Sequence, residues 1–232
     1  MERKQDYTPP APDGQSLERR LHERRIRSVY GDAQPGMRYS VPMIVQRARI
    51  LGFCPGVRRA VQMATDAAGK GPGVFLLGQL VHNPHVSSRL EELGAVPLSE
   101  TDIESLPPAS RVVIRSHGIP LEALEKLRKK GTLPIDATCP KVAANQKAAA
   151  TLSAAGISVV IAGDPGHGET RGVASYAPGS VVLDTPKAAR AYAEQAAGTA
   201  GTARRHALIA QTTFSRAEYD AILAELRRGH MI

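Results

Sequence analysis

Cysteine occurs twice in the 232 residues, at Cys54 and Cys139, and both stand in the same local setting. Each closes an apolar, strand-like run: Arg49-Ile50-Leu51-Gly52-Phe53-Cys54 in the first case, Pro134-Ile135-Asp136-Ala137-Thr138-Cys139 in the second. Each is followed at once by proline. Proline suits the first position of a helix, where its missing N–H costs nothing. A sulfur held there faces the helix's unpaired N–H groups and the positive end of its dipole, which favour thiolate over thiol. Thiolates bind metals, so the pattern predicts a metal or redox centre. Buried structural cysteine is the competing reading. The 84 residues between the two allow a single disulfide but no disulfide framework.

Four more apolar runs end in residues that can do chemistry. They lead into Val81-His82-Asn83-Pro84, Ser116-His117-Gly118, Gly166-His167-Gly168-Glu169 and Gln211-Thr212-Thr213. A lone loop histidine is usually just solvated, and His22, His85, His206 and His230 are read that way. For His82, His117 and His167 the shared junction position favours a site. Asn83 and Ser116 also fit simple turn-forming roles, and Thr213 or Ser215 a helix cap.

The elements that must hold these junctions follow from patterning. From Ile44 onward, short β-branched runs alternate with helical stretches, the signature of a parallel α/β sheet. Strands are predicted over Ile44–Ala48, Val74–Leu77, Val112–Arg115, Leu133–Ala137, Ser158–Ala162, Val181–Leu183 and Ala207–Ala210. Helices are predicted from near Pro55, Pro84, Pro120, Pro140, Pro186 and Arg216, the last with the capping box Ser215-Arg216-Ala217-Glu218. In open parallel sheets, ligands bind beyond the carboxyl ends of the strands, so all six junctions should gather on one edge. Residues 1–42 hold eight Lys/Arg and six Asp/Glu with little to bury, and are expected to form a flexible extension. A break near residue 140 divides the rest into domains over 43–139, with both cysteines, and 140–232.

Composition narrows the function. A net charge of +8 and a pI near 9.8 raise nucleic acid as a partner. The basic residues are scattered and aromatics are few, and the sharpest cluster, Lys126 to Lys130, reads as the cationic end of a helix closed by Gly131. No nucleic-acid partner is expected; attraction of a small anion fits the charge as well. With no long apolar run and no secretory signal at the start, neither a membrane partner nor export is expected, and the location is read as cytoplasmic.

In this order and spacing, the junctions resemble the 4-hydroxy-3-methylbut-2-enyl diphosphate reductase family of the non-mevalonate isoprenoid pathway. The match covers residues 44 to about 228 and includes Leu90-Glu91-Glu92-Leu93-Gly94-Ala95 after the first histidine. The resemblance implies a trefoil of three similar αβα domains around a [4Fe–4S] cluster. It also implies the reaction: an allylic diphosphate loses its hydroxyl with two electrons and two protons, giving isopentenyl and dimethylallyl diphosphate. By the same resemblance Cys54 and Cys139 are cluster ligands, and His82, His117 and His167 bind the diphosphate. Glu169 delivers protons, and Thr212 positions substrate and proton relay. A ferredoxin or flavodoxin would donate the electrons.

The chain departs from the family where the third cysteine and third domain should follow, and Ile232 comes first. The family's third-domain Ser and Asn substrate contacts are likewise missing. The sequence is therefore read as truncated and inactive alone, its third domain either supplied by a separate third-domain polypeptide or lost. Around Glu169 it has His-Gly-Glu-Thr-Arg-Gly where many relatives have His-Pro-Glu-Val-Glu-Gly. Two alternatives stand beside the reductase. One is a non-catalytic remnant that binds allylic diphosphate without a stable cluster. The other is a zinc site of two thiolates and imidazoles, weakened by the lack of closely spaced cysteine pairs.

Overall fold

The computed structural model describes residues 46, 49, 51–198 and 205–232. The flexible extension expected over residues 1–42 lies outside them, as does the strand expected over 44–48 apart from Gln46. Residues 51–232 form one compact unit.

The elements run in order α1 (Pro55–Ala68), β1 (Val74–Leu77), α2 (Pro84–Glu92), β2 (Ala95–Leu98), a 3-10 helix (Glu100–Ser105), β3 (Arg111–Ile114), α3 (Leu121–Lys129) and β4 (Leu133–Asp136). They continue with α4 (Pro140–Ala154), β5 (Ser158–Ala162), α5 (Gly168–Ser175), β6 (Val181–Leu183), α6 (Pro186–Gly198), β7 (His206–Ala210) and α7 (Arg216–Arg228). The first sheet has strand order β2-β1-β3-β4 and the second β6-β5-β7, with every pairing parallel. The α/β class with small parallel sheets is thus as the sequence predicts.

Each sheet is covered on both faces because its central strands alternate between two apolar sets. Val74, Leu76 and Val113 pack with α1 and α2, whereas Leu77, Val112 and Ile114 pack with the 3-10 helix and α3. In the second sheet Val159 and Ile161 face α4 and α5, and Val160 and Ala162 face α6 and α7. Two αβα sandwiches result. None of the described helices is long and apolar enough to cross a membrane.

The prolines mark the helix starts. Pro55, Pro84 and Pro140 occupy the first turns of α1, α2 and α4. Asn83 caps α2 by accepting from the Val86 N–H at 3.3 Å, and Ser215 caps α7 by accepting from Glu218 N–H at 3.4 Å. The basic run after Glu125 does end α3, and Gly131 follows with φ of 66°. Three short elements, β2, the 3-10 helix and α5, stand where the sequence predicts none. Strand β2 holds Pro97, which removes a ladder donor and is tolerated because β2 lies at the sheet edge. Helix α5 is eight residues long and contains two glycines, so its propensity is weak.

Candidate active site

Strand order dictates where a site can form. In the first sheet the order reverses between β1 and β3, and in the second between β5 and β7. At such switch points the loops leaving neighbouring strands part in opposite directions and open a crevice. The junctions at the first crevice carry His82 and His117; those at the second carry His167, Glu169 and Thr212.

These residues meet across the two sheets. The ring centroids of His82 and His117 are 6.1 Å apart, and those of His117 and His167 are 5.1 Å apart in an edge-to-face arrangement. Burial, then the charges of His167, Arg115 and His82, lower His117 from the ordinary 6.5 to about 4, so it is uncharged at neutral pH. His167 caps α5 with its side chain: Nδ1 accepts from the Glu169 N–H at 3.2 Å. In the neutral ring the proton is therefore on Nε2, which leaves that nitrogen as the donor.

Glu169 is 1% exposed, and a carboxylate that deep requires partners. Thr212 supplies both: its N–H donates to Oε1 and its hydroxyl to Oε2, each at 2.7 Å. Gln211 organises this corner. Its Oε1 accepts from Asp164 N–H at 2.9 Å and from the Thr170 hydroxyl at 3.0 Å, and its Nε2 donates to Thr213 Oγ1 at 2.8 Å. Thr213 thus braces the turn, while Ser215 makes the cap.

The cysteines lie on the first-sheet side. Both occupy the residue before a helix, as predicted, but neither sulfur accepts a capping hydrogen bond from the helix N–H groups. Both thiols are free, Cys54 exposed and Cys139 half-buried. The two helix starts touch: a Cβ placed on Gly56 would stand 2.6 Å from Cys139 Sγ, so only glycine admits the sulfur there. Arg59, on the same helix as Gly56, donates to the carbonyls of Thr138 at 3.2 Å and Asp136 at 3.4 Å. The Cys139 N–H in turn donates to Ser116 O at 2.8 Å, next to His117. Ser116 makes no side-chain turn bond; its buried Oγ has no partner among the described residues, and the turn is closed by Gly118 N–H to Arg115 O at 3.0 Å.

All seven residues singled out for a site thus lie on one connected set of junctions, while His206 packs on Tyr192 instead. Sequence reading passed over Arg59, Arg115 and Glu100. The sequence pattern places Arg115 in a strand, but that strand ends one residue earlier, at Ile114, which puts Arg115 at the junction. Among the described residues, no group of three or more His, Cys, Asp or Glu side chains is arranged to hold a metal ion. The starts of α1 and α4 touch at Gly56 and Cys139, so the two cysteines stand at neighbouring helix starts.

The chain spans about half to two thirds of the length of the curated relatives it matches. It is 37% identical over 189 residues to the 4-hydroxy-3-methylbut-2-enyl diphosphate reductase of Geobacter sp. (strain M21), covering 81% of this chain and 63% of that one. It is 37% identical over 195 residues to the same-named protein of Treponema denticola, covering 80% and 66%. A solved structure of (E)-4-hydroxy-3-methyl-but-2-enyl diphosphate reductase superposes with a TM-score of 0.65 at 35% identity, covering 76% of this chain and 61% of that one. The Plasmodium falciparum reductase shares the fold, with a TM-score of 0.68 at 23% identity over 77% and 54%. The family model described as LytB protein matches residues 45–231, and the chain belongs to that family.

Proposed function

We propose that this chain serves the reductive dehydroxylation of (E)-4-hydroxy-3-methylbut-2-enyl diphosphate, as part of an oxidoreductase of isoprenoid biosynthesis. The observation that carries the reading is the convergence of the His82, His117 and His167 rings, at 6.1 and 5.1 Å, beside the buried Glu169–Thr212 pair. Imidazole N–H groups suit the diphosphate oxygens, and the start of α5 adds the positive end of a helix dipole. Glu169 and Thr212 form a hydroxyl–carboxylate pair through which a proton can pass to the departing hydroxyl, which leaves as water. The overall step takes up two electrons and two protons.

Cys54 and Cys139 would hold two thiolate positions of a [4Fe–4S] cluster, whose third thiolate the family carries on a third domain. When bound, such a cluster supplies electrons and an open iron that polarises a hydroxyl oxygen. Residues 43–139 and 140–232 are then two of the three lobes around it, and the electrons come from a ferredoxin or flavodoxin in the cytoplasm. Anaerobic reconstitution with iron and sulfide, with the third-domain polypeptide present, should give a brown protein that converts the allylic diphosphate. A colourless product under those conditions would defeat the cluster assignment.

A second reading follows from the count of two cysteines. A cluster held by two protein thiolates is labile, and the histidine pocket by itself suits a non-catalytic diphosphate binder. Calorimetry of metal-free protein with pyrophosphate separates the two parts: binding without cluster formation favours this reading, and no binding removes it.

A further inference from the structure

The groups that hold the histidine cluster together lie outside it. Glu100 begins the 3-10 helix after β2, and its carboxylate is shared. Oε1 accepts from Arg115 Nη2 at 3.1 Å, and Oε2 accepts from Arg171 Nη2 at 3.1 Å. Arg115 stands two residues before His117 on the first-sheet side, and Arg171 four residues after His167 on α5. One carboxylate therefore ties the loop of His117 to the helix that His167 caps.

Arg115 is clasped on several sides. Its Nε donates to Gly118 O at 3.1 Å, closing the turn around His117. Its guanidinium lies across Gly168, where a Cβ would stand 3.0 Å from Nη2, and against Gly78, where any Cβ would collide with it. The Arg115 and Glu100 side chains are 16% and 27% exposed, against 53% for Arg171. An exposed ion pair contributes little to stability. A guanidinium held on a carboxylate, a carbonyl and two glycines instead fixes geometry, because its planar fork loses little freedom per bond.

We propose that Glu100, Arg115 and Arg171 form an ionic brace between the two sheets, and that its role is to hold His117 against His167. Glu100 is then a positioning residue; the purpose assigned to it rests on reading the cluster as the diphosphate pocket, but its geometry does not. The rival explanation is that Glu100 acts only through its charge. The two act on His117 with opposite sign. Burial is the largest cause of that ring's lowered proton affinity, and His167, Arg115 and His82 add to it. A loosened brace admits water and raises the value. Loss of the Glu100 charge alone leaves Arg115 uncompensated and lowers it further.

The test is an NMR titration of the His117 ring in the full chain, for the native protein, Glu100→Gln and Glu100→Asp. The brace predicts a rise of about 1 pH unit in both variants, together with several-fold weaker binding of pyrophosphate by calorimetry. The second change runs against the electrostatic trend, since Glu100→Gln adds net positive charge. A lower value in Glu100→Gln with none of this in Glu100→Asp, or no change in either, overturns the proposal. Should Glu100→Gln fail to fold, Glu100→Asp decides alone, because it keeps the charge and only shortens the reach. If the native protein does not bind pyrophosphate, the diphosphate reading fails while the titration still decides the brace.

Discussion

Thr212 takes up both oxygens of the Glu169 carboxylate, one through its N–H and the other through its hydroxyl, each at 2.7 Å. The two residues are 43 positions apart, and one of them is 1% exposed. Thr212→Val removes the hydroxyl and keeps the shape, leaving a buried oxygen unpaired. The expected cost is about 1–3 kcal/mol of stability, read from urea unfolding, with Thr212→Ser close to native. Equal stability of Val and native proteins would show that the hydroxyl contributes nothing to holding the carboxylate.

Gly56 is the one residue type that leaves room for Cys139 Sγ. Gly56→Ala should destabilise by about 1–2 kcal/mol through overpacking, despite alanine's better helix propensity. In a Cys139→Ala background most of that penalty should vanish. Thermal unfolding of the two single variants and the double variant checks this, and additive effects would mean the contact is unimportant.

His117 gives stability a pH dependence of known sign. Between its ordinary value of 6.5 and its folded value of about 4, the unfolded chain carries a proton there that the folded chain lacks. The unfolded state binds more protons in that window, so stability falls as pH falls from about 6.5 to about 4. Urea midpoints at a series of pH values should decline less steeply for His117→Asn than for the native protein.

Arg59 clamps α1 to the segment that leads into Cys139, through the carbonyls of Asp136 and Thr138. Arg59→Gln should cost about 1 kcal/mol and make Cys139 react faster with iodoacetamide, followed by mass spectrometry. An unchanged alkylation rate would locate the restraint on Cys139 elsewhere.

How far these relationships could be read in advance varied with their physical origin. Val112 to Ile114 and Val159 to Ala162 were legible as strands because buried parallel strands are nearly continuous apolar runs. Ala95–Leu98 was not, since an edge strand bearing Pro97 and two exposed positions carries no such signal. Helix α5 escaped for a related reason: its cap is His167 rather than Ser, Thr, Asp or Asn, and glycines interrupt it. The histidines, Glu169 and Thr212 were visible as junction residues, and strand order explains why His82 and His117 share one crevice and His167, Glu169 and Thr212 another. The meeting of His117 with His167 was invisible to local pattern, because it depends on how two separately cored sheets dock. Glu100, Arg115 and Arg171 make that docking specific, yet each alone looks like an ordinary surface charge.

Each crevice opens at its own sheet's reversal of strand order, and the three rings close up only where the crevices face each other. A molecule with one sheet assembled and the other still unfolded would have half a pocket and no ring pair. Any ligand that needs all three imidazoles would therefore select the fully joined molecule from every partly formed one. Its binding energy would appear as added cooperativity between halves that share no strand.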